Sequence, residues 1–64
     1  MRRQFDQQLA LLNRELIEMG ALCEEVIALA SKALTEGNPD MAARVAPLDT
    51  EIDQKERTIE SLCL

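Results

Sequence analysis

Sixty-four residues allow one small domain, and a chain of this length buries too small a share of its surface to be more than marginally stable alone. Apolar residues make up 47% of it, Phe5 is the single aromatic, and the rest are mostly Leu, Ala, Ile, Val and Met, a composition that fits long helices with one connection. Twelve acidic residues against seven basic ones give a net charge of −5, and no basic stripe is present to meet phosphate backbones, so nucleic-acid binding is not expected.

The longest apolar runs are four or five residues, far below the roughly 20 that a membrane-spanning helix requires, so no direct membrane insertion is expected. MRRQFDQQLALL starts like a signal peptide, but Gln, Asp, Asn and Glu interrupt any apolar region behind it. Cys23 and Cys63 form no C-x-x-C and both lie in apolar stretches. They read as small buried hydrophobes in a reducing, cytoplasmic setting.

In the first segment Phe5, Leu9, Leu12, Leu16, Met19, Cys23, Val26, Ala30 and Ala33 alternate steps of four and three. That spacing predicts a helix over about 4–36 packed along a heptad seam. Leu22, Ile27, Leu29 and Leu34 widen the stripe, which points to a bundle with more than one neighbour. Gly20 is tolerated inside the helix at a cost of about 1 kcal/mol relative to Ala, and it permits close approach by a neighbouring helix.

EGNPD at 36–40 is the one strong punctuation. Gly37 suits the left-handed position that ends a helix, Asn38 suits an N-cap, and Pro39 suits the first helical position. A turn at 37–38 this short makes the two helices antiparallel neighbours.

The second helix, expected over about 39–64, carries the heptad through Met41, Val45, Leu48, Ile52, Lys55, Ile59 and Leu62. Pro47 removes the hydrogen bond to the Ala43 carbonyl and should bend the helix or delay its regular start. Lys55 stands at a seam position, where its stem can lie on apolar surface while its ammonium reaches toward Glu51 or a neighbouring acidic row. The pattern runs uncapped through SLCL, which is expected of a piece of something longer.

That acidic row is Asp49, Asp53, Glu56 and Glu60, spaced four, three and four, each one residue after a seam position. It therefore flanks the apolar stripe. Two readings fit. The row can be a solvated flank, since surface charge runs carry little energy. It can also bind a hard cation such as Mg²⁺, Mn²⁺ or iron, whose charge would relieve the repulsion between carboxylates on successive turns. One helix supplies only part of such a shell. The chain has no histidine, which argues against the Glu-x-x-His di-iron bundle and the usual zinc sites. Ser31 and Ser61 likewise have no base, and no Gly-rich phosphate loop is present, so the chain is not expected to be an enzyme.

Taken in order, MR-x-x-FD, L-x-x-MG, A-x-x-AL-x-x-x-N and D-x-x-ID-x-x-E-x-x-IE-x-x-CL resemble the start of the PhoU family, accessory regulators of bacterial phosphate uptake. The resemblance covers the whole chain but only the first quarter to third of a PhoU protein. It implies an all-α fold, here an antiparallel two-helix hairpin that forms the first part of a three-helix bundle. It also implies a cytoplasmic negative regulator of phosphate uptake and starvation signalling. The partners implied are the Pst phosphate transporter, through its ATPase subunit, and the PhoR sensor kinase. The family's metal-binding acid-x-x-x-Asp motif falls on Asp49 and Asp53, with Glu56 and Glu60 extending the same face; its companion on a third helix is missing here. With that helix absent, the wide apolar face is expected to drive self-association, most simply as two hairpins in a four-helix bundle. Two alternatives stand beside this reading: a helical oligomerisation module with no metal site, and a fragment of a carboxylate-bridged metalloenzyme.

Overall fold

The computed structural model describes residues 2–64; Met1, the first residue of the opening motif, lies outside them. The described chain is all-α. Helix α1 spans Arg2–Glu36, α2 spans Pro39–Ala43 and α3 spans Val45–Cys63, with no strand among the described residues. At about 1.5 Å per residue the 35 residues of α1 extend about 52 Å. They set the long dimension of a molecule measuring 53 × 15 × 12 Å.

The reversal at 37–38 is built from local chemistry. Gly37 has φ of +61°, a backbone conformation that costs a residue with a Cβ about 1–2 kcal/mol. Its geometry lets the Asn38 N–H donate to the Ala33 carbonyl at 3.2 Å, closing the last turn of α1. The Asn38 side chain then serves α2, where its Oδ1 accepts from the backbone N–H groups of Asp40 at 3.0 Å and Met41 at 3.4 Å. One residue thus ends one helix through its main chain and starts the next through its side chain.

The second helix, expected over about 39–64 with a bend or a delayed regular start at Pro47, is divided into α2 and α3. Regular structure stops at Arg44, whose N–H donates to the Met41 carbonyl at 3.1 Å, a tighter turn than an α-helix makes. Pro47 is the cause. Lacking an N–H, it cannot serve the Ala43 carbonyl, but it sits comfortably in the first turn of a new helix, where N–H groups have no intrahelical acceptor.

Helix α3 runs back along α1. Pro47 and Leu48 face Ala28 and Leu29, and Lys55 reaches Glu15 and Glu18. Every seam position read from the sequence of this segment, Met41, Val45, Leu48, Ile52, Lys55, Ile59 and Leu62, is half-buried. On α1 the outcome differs. The side toward α3 is Glu15, Met19, Leu22, Val26, Leu29 and Ala33, of which only Ala33 is fully buried. Phe5, Leu9 and Leu16, assigned to the packed seam by the heptad, are exposed, as are Ile27 and Leu34. Helix α1 carries two apolar stripes about a quarter-turn apart. A seven-residue template merges them, and α3 covers one. Cys23 is half-buried, but Cys63 is exposed, one step beyond the seam residue Leu62, so the expectation that both are buried fails for it.

The turn is the most sensitive local feature. Gly37→Ala and Asn38→Ala should each lower stability by about 1 kcal/mol, read as a drop in the thermal midpoint of the helical circular-dichroism signal. A neutral Gly37→Ala would contradict the left-handed turn.

Candidate functional site

Asp49, Asp53, Glu56 and Glu60 all project from α3 and all are exposed. Asp53, Glu56, Arg57 and Glu60 border a shallow open depression, with Arg57 the one positive charge among them. Among the described residues no three His, Cys, Asp or Glu side chains stand close enough together to hold a metal ion. The row therefore offers oxygen donors suited to a hard cation, but from one side only.

The direction in which the row faces follows from helix geometry. At about 100° per residue, the row is turned by about 100° from the α1-facing side of α3. The exposed apolar stripe of α1 is turned by a similar angle from its α3-facing side. Because the two helices run in opposite directions, both rotations point to the same side of the pair. The opposite side holds a different set. There Glu25, Ala28, Leu29 and Lys32 face Arg44, Pro47 and Leu48 across an open cleft of about 460 Å³, and Glu15 adjoins Glu51, Gln54 and Thr58. One flank of the pair is thus mixed and polar; the other sets apolar side chains beside four carboxylates.

Lys55 lies between the two helices and does not serve the acidic row. Its Nζ donates to Glu15 Oε2 at 2.5 Å and to Glu18 Oε2. The sequence suggested Glu51 or the acidic row as its counter-charge. The seam position aims the lysine stem at α1 instead, so the ammonium arrives beside the carboxylates of that helix. Glu15 was missed as a partner, although a signal was available: it stands four residues before Met19 and eleven before Val26, on the line that packs against α3. The Glu15 side chain is 14% exposed and that of Lys55 24%. Arg14 adds a looser contact, with its Nε 3.9 Å from Glu18 Oε1.

The hydrogen bonds to Glu15 and then Glu18 hold the Lys55 ammonium above its ordinary 10.5. The hydrogen bond from Lys55 holds the Glu18 carboxyl below its ordinary 4.5. For Glu18 the lowered folded value means a contribution present above 4.5 and lost as pH falls through that folded value. For Lys55 the raised folded value means a contribution fully present below 10.5 and lost as pH rises through it. Lys55→Met should therefore lower the melting temperature by a few degrees between about pH 6 and 9, with the difference from wild type shrinking in acid as the Glu18 carboxyl protonates. A difference that persists unchanged at about pH 2 would show that the lysine acts by packing alone.

No helix among the described residues is long and apolar enough to cross a membrane. The profile of the PhoU domain matches residues 16–64. Over 62 residues the chain is 36% identical to a phosphate-specific transport system accessory protein PhoU homolog of Synechocystis sp., covering 97% of this chain and 28% of that protein. Over 55 residues it is 38% identical to the protein of the same name from Rhizobium meliloti, covering 86% and 23%. The chain thus spans about a quarter of the length of these curated relatives. No solved structure matches it.

Proposed function

Because the chain belongs to the PhoU domain family, we propose that it forms the opening part of an accessory regulator that restrains phosphate uptake and phosphate-starvation signalling. The observation that carries this is the family match over residues 16–64, which takes in most of α1, the turn and all of α3. In this reading the protein is cytoplasmic and works through protein contacts, not catalysis. Its partners are the ATPase subunit of the Pst phosphate transporter and the PhoR sensor kinase. An uncovered apolar stripe supports a role based on contacts.

The pair α1 and α3, with α2 as its connection, is the antiparallel hairpin that begins a three-helix bundle, and self-association closes the open face. Asp49 and Asp53 hold a divalent cation or iron, with Glu56 and Glu60 as further oxygen donors. Their hard-donor chemistry suits Mg²⁺, Mn²⁺ or Fe, and the remaining ligands come from outside α3. A second reading, a helical oligomerisation module whose acidic flank only keeps it in solution, is favoured by the exposure of all four carboxylates.

Deleting the segment that encodes residues 16–64 from the full reading frame should switch on the starvation response in phosphate-rich medium, read with a reporter gene. Continued repression would overturn the regulatory reading. Calorimetry on the full-length protein with Mn²⁺ or Fe²⁺ should show binding that Asp49→Asn with Asp53→Asn abolishes. Equal binding by the double variant removes these residues as ligands and leaves the second reading.

A further inference from the structure

The line along which α1 and α3 meet carries one charged residue on each side. On α1 it runs through Glu15, Met19, Leu22, Val26, Leu29 and Ala33; on α3 it runs through Val45, Leu48, Ile52, Lys55, Ile59 and Leu62. The two charged members, forty positions apart, are the ones that meet, Lys55 Nζ donating to Glu15 Oε2 at 2.5 Å. Glu18 adds a second carboxylate to the same ammonium.

The rest of the line does not choose a register. Apolar residues recur on both helices at steps of three and four, so a slide of α3 by one turn, about 5.4 Å, again sets aliphatic side chains against aliphatic side chains. The connection does not forbid such a slide. The five residues of α2 rise about 7.5 Å as a helix and span about 16 Å when extended, so unwinding them releases up to about 9 Å. What a slide cannot reproduce is the charged contact. Moved one turn toward the start of α1, Lys55 would stand level with Leu11 and Arg14; moved one turn the other way, it would stand level with Met19 and Leu22. In both cases the half-buried Glu15 would lose its counter-charge, which is costly for a partly desolvated carboxylate.

We infer that Lys55 is a positioning residue: it selects the register of α3 on α1 and, through it, the height at which Asp49 and Asp53 stand along the pair. A polar group at a single seam position fixes register in coiled coils at some cost in stability. The consequence for the site rests on the metal reading proposed above. If Asp49 and Asp53 share a cation with ligands from outside α3, a slip of one turn displaces their oxygens by about 5.4 Å, more than twice a metal–oxygen distance of about 2.0–2.6 Å. The register itself does not depend on that reading.

Nitroxide labels at Gln7 on α1 and Thr50 on α3, both exposed, report the register in the full-length protein with its native cysteines replaced by alanine. The two positions are offset along the helix axis, so a slide changes their separation directly. Pulsed electron–electron resonance should give one distance with Lys55 in place and the same distance for Lys55→Arg. Lys55→Glu, which sets three carboxylates together, should give a second distance displaced by about 5 Å. Lys55→Met, which keeps much of the stem and folds more readily, should do the same. Adding Glu15→Lys and Glu18→Lys to Lys55→Glu should restore the single distance, a rescue that packing alone does not produce. An unchanged single distance in both Lys55→Glu and Lys55→Met, or a second distance that the reversed charges leave in place, overturns the inference. In calorimetry, Lys55→Glu should weaken Mn²⁺ binding at least tenfold, with recovery in the charge-reversed variant. Binding that is indifferent to Lys55→Glu overturns the link between register and site. Protein that binds no Mn²⁺ with Lys55 in place overturns the metal reading, and the distances then decide the register alone.

Discussion

Helix α1 has two apolar stripes and, beyond the five residues of α2, only α3 to cover them. The 19 residues of α3 lie along one stripe, through Met19, Leu22, Val26, Leu29 and Ala33. A pair of helices has a single line of contact, so most side chains on that line remain half-open to solvent, and Ala33 alone is buried. The other features of the molecule follow from this shortage of partners: its rod shape, its exposed leucines, and the position of the acidic row beside uncovered apolar surface.

Within the contact line one charged cluster interrupts the apolar sequence. Lys55 on α3 meets Glu15 and Glu18 on α1. Such a cluster adds little stability, because desolvation offsets much of the attraction. It does distinguish one register from its neighbours. A shift of α3 by one turn would place the lysine against apolar side chains and leave Glu15 without its counter-charge. Pro47 acts on the same alignment from the other end. It starts α3 afresh after Arg44, which separates the direction of α3 from that of the short α2.

Membership of the PhoU domain family comes with two contrasting surfaces. The helices present a mixed, polar flank on one side and an apolar, acid-edged flank on the other. The carboxylates of Asp49, Asp53, Glu56 and Glu60 are the same side chains whether they ligate a cation, face a second copy or simply remain hydrated. Which of these happens depends on what lies opposite, a property of the assembly and not of α3.

Much was legible from local order. The end of α1 at Glu36, the left-handed Gly37, the Asn38 cap and the disruption ahead of Pro47 are each set by residues within one or two turns of each other, so the sequence alone determined them. The seam of α3 was equally plain, since that helix has one apolar line and every residue on it is half-buried. The acidic row could be named and placed one step off that seam. For α1 the sequence could state that the apolar surface was wide. It could not say which stripe α3 would cover, or that Lys55 would find Glu15 and not Glu51, or that the row and the bare stripe would share one side. The short turn already made the pair antiparallel, but those outcomes depend on the rotation of each helix about its axis. Rotation is fixed by contacts between residues as far as forty positions apart, and only the tertiary structure decides it.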